Sequence, residues 1–107
     1  MTAQRASLIL VNRPSAAADE HVQDAPALRS VDPSTPVLSV LDLGATRGDG
    51  IFETLSVGDG APQALEHHLR RFARSAELLD LPAPDLDVWR EAIAAAIAEL
   101  PPVRSAW

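Results

Sequence analysis

The sequence predicts an α+β fold, an antiparallel sheet packed with two helices. Three observations support this: short aliphatic runs bounded by Gly, Pro and Asp fill the first half, two segments of helical periodicity fill the second, and Gly58-Asp59-Gly60 marks a tight turn just before the first helix. Strands first and helices afterwards, without regular alternation, favour an antiparallel sheet over a parallel one. The 107 residues, 47% of them hydrophobic, suit a single domain with a modest core.

In chain order, Ala6 to Val11 is aliphatic and ends at Asn12-Arg13-Pro14, the pattern of an edge strand stopped by a turn. Residues 15 to 36 show no period, and their prolines and scattered acids mark a surface connection. Val37 to Leu41 has the composition of a second strand, broken by Asp42 and Gly44. After Gly48-Asp49-Gly50 comes Ile51 to Val57, where extended backbone puts Ile51, Glu53, Leu55 and Val57 on one face and Phe52, Thr54 and Ser56 on the other. Ala61 to Leu65 is expected to return antiparallel. The first helix is expected from about Leu65 to Leu79, with Leu65, Leu69, Phe72, Ala73, Ala76 and Leu79 as its apolar stripe. The second is expected from about Leu86 to Leu100, capped by Asp85 or Asp87, with Trp89, Ile93, Ala96, Ile97 and Leu100 inward. Val103 to Trp107 has the look of a strand or linker that is interrupted. On these signals residues 1–36 form a strand and an irregular connection, and 37–107 the main α+β unit.

Composition excludes several chemistries. All nine basic residues are arginine, there is neither lysine nor cysteine, and the net charge is −6. Disulfides, thiolate metal sites and thiol or lysine nucleophiles are therefore closed to this chain. An acidic surface repels phosphate backbones and anionic lipid, so neither nucleic acid nor a membrane is expected as partner. The apolar run at Leu8 to Val11 is too short for a secretory core, which points to the cytoplasm.

At about 100° per residue, His68, Arg71 and Ser75 share one flank of the first helix, beside its apolar stripe. Glu66, Arg70, Arg74 and Glu77 fall on the solvated side, where Glu66 and Arg70 are spaced for an i,i+4 pair. Arg71 thus differs from its arginine neighbours. It can grip a phosphate or carboxylate through paired hydrogen bonds, or it can simply pair with an acid of the domain such as Glu53. Glu53 is a candidate general base and equally a structural acid. Adjacent His67 and His68 diverge too far to chelate one metal from a regular helix, and no metal site is expected. Gly48-Asp49-Gly50 lacks the length and lysine of a P-loop, and Arg47-Gly48-Asp49 matches the adhesion tripeptide by coincidence.

Taken together, Asp42-Leu43-Gly44, Gly48-Asp49-Gly50-Ile51-Phe52-Glu53-Thr54, His68-Leu69-Arg70-Arg71-Phe72 and Ser75-Ala76 form a series. It resembles the N-terminal portion of class IV pyridoxal-phosphate enzymes: branched-chain aminotransferases, D-amino-acid aminotransferases and aminodeoxychorismate lyases. The likeness spans about residues 37 to 100, and the two longer blocks at this spacing are far more specific together than either alone. It implies the small N-terminal domain of a fold-type IV enzyme, with pyridoxal 5'-phosphate as the full-length cofactor and Arg71 as its phosphate ligand. It also implies a substrate-side pocket near Phe52, Glu53, Thr54 and Arg47. The family's cofactor-holding lysine belongs to a larger C-terminal catalytic domain, so this chain has no catalytic residue of its own and is expected to be inactive alone.

The resemblance further implies a homodimer and a small-molecule substrate, an amino acid or aminodeoxychorismate. The expected activity is an aminodeoxychorismate lyase of folate biosynthesis, taking 4-amino-4-deoxychorismate to 4-aminobenzoate and pyruvate. The alternatives are a branched-chain or D-amino-acid aminotransferase, and a non-catalytic binding module of the same fold. Two departures stand out: Arg47 replaces the aromatic that usually precedes Gly-Asp-Gly, and Leu43 replaces a commonly basic residue. A cation at position 47 suits a substrate bearing carboxylates, which favours the lyase.

Overall fold

The computed structural model describes residues 6–12 and 26–101. Two strands, β1 (Leu8–Val11) and β2 (Leu28–Val31), form an antiparallel ladder in which Leu8 faces Val31 and Val11 faces Leu28. A short helix α1 (Leu43–Arg47) follows, then a minimal hairpin of β3 (Val57–Gly58) and β4 (Ala61–Pro62), then helices α2 (Leu65–Leu78) and α3 (Leu86–Ala98). The α+β class holds. Its strands pair antiparallel as expected, and those described make two separate two-stranded ladders.

Several expectations change for local reasons. Val37 to Leu41 is not a strand. The Ser39 hydroxyl accepts from the Leu41 N–H, and Asp42 N–H donates to the Ser39 carbonyl, so short-range bonds replace a ladder. The second strand lies instead at Leu28–Val31, inside the stretch expected to be an irregular connection. Asp42 and Gly44 belong to a helix start rather than to a loop: the Asp42 carboxylate accepts from the Gly44 N–H at 2.8 Å and caps α1. Gly48 ends that helix in the left-handed region at φ 68°. The turn expected at residues 12–14 lies partly outside the described residues, and the tail expected at 103–107 lies wholly outside them.

The hairpin turn is built as expected, with Asp59 and Gly60 both left-handed at φ 51° and 77°. Its return strand is shorter than Ala61 to Leu65. Pro62 has no N–H to extend the ladder, and Leu65 already begins α2. Helix α2 stops at Leu78 in a Schellman closure: the Leu81 N–H reaches the Ala76 carbonyl at 2.8 Å while Asp80 adopts φ 58°. Leu79 consequently leaves the stripe and is 56% exposed.

Asp85 caps α3, accepting from the Asp87 and Val88 N–H groups. Asp85→Ala is expected to lower stability by about 1 kcal/mol, readable as a shifted urea midpoint, whereas Asp87→Ala leaves the cap intact.

The core is small. Leu69 and Ala76 of α2 and Ala92 of α3 are its buried apolar residues among those described. Phe72 and Trp89 meet edge-to-face at 4.9 Å between ring centres and join the two helices. Arg90 of α3 clamps Glu66 of α2 through two bonds, Nε at 2.9 Å and Nη2 at 2.8 Å, and also reaches Asp87. The expected Glu66–Arg70 pair is therefore replaced: the planar guanidinium of Arg90 offers Glu66 a forked match across the helices. On the other side α3 packs against β1 and β2. There the Ser7 hydroxyl donates to the Ala96 carbonyl at 2.8 Å, and the Ser30 hydroxyl donates to the Glu99 carboxylate. No helix among the described residues is long and apolar enough to cross a membrane.

Candidate functional site

The flank of α2 that carries His68 and Arg71 faces the extended segment at 51–56. Along that segment Ile51, Glu53 and Leu55 are half-buried while Phe52, Thr54 and Ser56 are exposed, the alternation that extended backbone imposes. Val57, which pairs with Pro62 in β3, breaks the expectation and is exposed.

Glu53 is the centre of the site. Its carboxylate accepts from Arg71 twice, Nε at 2.8 Å and Nη2 at 3.0 Å, and from His68 Nδ1 at 2.9 Å. The side chains of Glu53, His68 and Arg71 are 14%, 18% and 55% exposed, so the cluster runs from a covered carboxylate to an open guanidinium. The Arg71 bonds, then the His68 bond, hold the Glu53 pKa down at about 2 from an ordinary 4.5, against a smaller opposing effect of desolvation. An ionised carboxylate only accepts, so His68 Nδ1 carries the proton in this contact. Arg71 is held charged in turn, chiefly by its bonds to Glu53.

Both Arg71 bonds use the Nε–Nη2 edge of the fork. Nη1 makes no hydrogen bond among the described residues and can donate to a further anion. The structure shows the second of the two readings left open by the sequence, an inner edge of Arg71 paired with Glu53.

The other expected pocket residues lie elsewhere. Phe52 is 87% exposed on the opposite face of the segment from Glu53, and Thr54 lies beside it on that face. Arg47, at the end of α1, approaches Asp49 at 3.8 Å, which offsets part of its charge. The structure therefore brings Glu53, His68 and Arg71 together but keeps Phe52, Thr54 and Arg47 apart from them. Ser75, on the same flank of α2, is half-buried and takes no part in the cluster. The sequence had set His68 beside Arg71 without naming it a site residue. Its i,i+3 spacing to Arg71, opposite an acid on an extended segment, was the available signal. The His67 and His68 rings sit edge-to-face at 6.0 Å, and no group of metal-binding side chains occurs among the described residues.

This arrangement of a Gly-Asp-Gly-led extended segment pinned to a His-Leu-Arg-Arg helix coincides with a family match: the model of the amino-transferase class IV family covers residues 50–105. The chain belongs to that family. It is 52% identical over 63 residues, 59% of its length, to the bifunctional aminodeoxychorismate lyase / D-amino acid transaminase of Mycobacterium tuberculosis, and the match covers 22% of that protein. Among solved structures it is similar to the fold IV-transaminase CpuTA1 from Curtobacterium pusillum, with 49% identity and a TM-score of 0.75 over 89% of this chain and 31% of that one. It is likewise similar to a hypothetical aminotransferase from Mycobacterium tuberculosis in its PLP-bound form, with 49% identity and a TM-score of 0.63 over 64% of this chain and 24% of that one. This class IV chain therefore spans about a fifth to a third of the length of these relatives.

Proposed function

We propose that this chain is the small-domain portion of a pyridoxal-phosphate enzyme of class IV, in which Arg71 holds the cofactor's phosphate. The observation that carries the reading is the outer edge of Arg71, fixed in direction by Glu53 yet open to an anion. A guanidinium pre-aligned on one edge loses less freedom when a phosphate oxygen binds the other. The donor chemistry present therefore fits the phosphate. When bound, the cofactor supplies an electron sink for substrate carbanion chemistry.

This chain's residues contribute binding and orientation. Arg71 would hold the phosphate, Glu53 and His68 would keep Arg71 in place, and the exposed face with Phe52 and Thr54 would form one wall on the substrate side. The lysine that such enzymes need is absent from these 107 residues, so further polypeptide must supply it. The specific activity we favour is that of an aminodeoxychorismate lyase, releasing pyruvate and 4-aminobenzoate. The relative named as bifunctional for that lyase activity supports it, as does the cation at Arg47. The same relative's second activity supports D-amino acid transamination as the alternative.

The test uses residues 26–101 in place of the matching segment of the Curtobacterium pusillum transaminase. Arg71→Gln in that chimera is expected to weaken pyridoxal 5'-phosphate binding roughly tenfold to a hundredfold, the worth of a charge-assisted hydrogen bond. Binding of pyridoxal, which lacks the phosphate, should be unchanged, with cofactor absorbance and fluorescence as readouts. Equal losses for both ligands, or for neither, refute the role of Arg71. The chain by itself is expected to transfer no amino group. Borohydride reduction with the cofactor should label nothing but its N-terminal amine.

A further inference from the structure

Helix α2 carries a second charged face, separate from the one that meets Glu53. Arg70 and Arg74 lie one turn apart on it, and Glu77 continues the same line toward the helix end. Past that end, Asp80, Leu81 and Leu86 form the other side of a groove of about 670 Å³ that these six residues help to line. The side chains of Arg70, Arg74, Glu77 and Asp80 make no hydrogen bond or ion pair among the described residues. Glu66, the acid spaced to serve Arg70, is gripped by Arg90 instead, which leaves Arg70 only a weaker through-space attraction to it. The rim is nevertheless fixed, because the Leu81 N–H is bound to the Ala76 carbonyl at 2.8 Å.

We propose that this groove binds a small zwitterion, an α-amino acid with an aliphatic side chain, its carboxylate between Arg70 and Arg74 and its ammonium toward Glu77 and Asp80. Charge complementarity selects that class. Two like charges at i,i+4 repel each other, and an anion placed between them relieves the repulsion. A plain anion meets Glu77 and Asp80 at the far end, and a plain amine meets the arginines, so each is disfavoured where a ligand with both poles is not. Arg74 and Glu77 are separated by about 4.5 Å of helix rise, the scale of a molecule whose two charged groups share one carbon. Leu81 and Leu86 offer the ligand's side chain an apolar surface, and the volume falls within the roughly 300–1,000 Å³ of small-molecule sites. Asp80 is a further pointer. It sits at φ 58° in the helix closure, a place that glycine fills with less strain, and aspartate there sets a carboxylate on the rim. The site is independent of the role given to Arg71, which projects about 100° away from Arg70 around the helix.

Titration of the isotope-labelled chain with L-leucine tests it, read as amide chemical shifts. Isocaproate, which lacks the ammonium, and isoamylamine, which lacks the carboxylate, serve as controls. L-leucine is expected to give saturable shifts concentrated at residues 70–86, and each control should bind at least about tenfold more weakly, the worth of one charge-assisted hydrogen bond. Asp80→Gly removes an acid yet keeps the left-handed closure, since glycine is at ease at that φ. It should weaken L-leucine binding about tenfold with helix content by circular dichroism unchanged, and Arg74→Gln should act likewise. Absence of saturation, shifts centred on Glu53, His68 and Arg71 instead, a control that binds as well as L-leucine, or unchanged binding by Asp80→Gly each overturns the proposal. Should the chain alone fail to fold, calorimetric titration of the chimera described above replaces it. There a loss of L-leucine affinity in Asp80→Gly supports the site, and equal affinity in parent and variant overturns it.

Discussion

Leu69→Ala is expected to destabilise the chain by roughly 2–5 kcal/mol, the range for truncating a buried leucine. Leu69 is 4% exposed, and with Ala76 and Ala92 it makes up the buried apolar core of the described residues. Neither alanine can expand into the space left behind, so the cavity persists and adds to the lost transfer energy. A small domain has only about 5–15 kcal/mol in total, so the variant should be substantially unfolded at modest urea concentrations. Leu79→Ala provides the contrast. The helical stripe placed Leu79 inside, but the Schellman closure leaves it exposed, and its loss should fall within about 0.5 kcal/mol. Urea unfolding followed by circular dichroism and tryptophan fluorescence measures both. Similar losses at the two positions would contradict the observed helix end.

Glu53→Gln is expected to remove a large part of the chain's acid sensitivity. The carboxyl of Glu53 sits at about 2 in the folded chain against 4.5 ordinarily. A depressed folded value means that the unfolded chain binds the proton first, so stability falls as pH falls. The contribution of Glu53 is complete above about pH 4.5 and disappears as pH drops toward about 2. Glutamine cannot ionise, and its amide group would turn a donor toward a donor on His68 or Arg71. The variant should therefore be less stable at neutral pH and flatter between pH 4.5 and 2. Asp32, lowered by the Ser34 hydroxyl and N–H, and Glu66, lowered by Arg90, also lose stabilising contacts in acid. The difference between wild type and variant cancels them. Urea midpoints from pH 7 to pH 2 provide that difference, and parallel curves would remove Glu53 from the account.

These two residues also show how much of the molecule was legible beforehand. Leu69 was readable because helical spacing is a local property, and the whole α2 stripe follows from it except at its end. Leu79 was misplaced because Asp80 enters the left-handed region, and a C-terminal closure built on aspartate rather than glycine carries a weak sequence signal. Glu53 was legible as an inward carboxylate and as a partner for Arg71, while the part played by His68 became visible only when α2 was set against the extended segment. The Val37–Leu41 error has the same origin. An aliphatic run has strand composition whatever its surroundings, but Ser39 and Asp42 bond within their own turn, and among the described residues no neighbouring strand competes.

What the sequence determined by itself is therefore everything set by short-range geometry: the two long helices, an aspartate cap at position 85 or 87, the Asp59-Gly60 turn, the alternation from Ile51 to Leu55, and the motifs that place the chain in its family. The tertiary structure decided which partners those elements take. It gave Glu66 to Arg90 rather than Arg70, paired Leu8–Val11 with Leu28–Val31, and joined Glu53, His68 and Arg71 into one cluster. The physical reason is that periodicity fixes the direction of a side chain relative to its own backbone. The identity of the group it meets depends on contacts between residues distant along the chain, which local pattern does not encode.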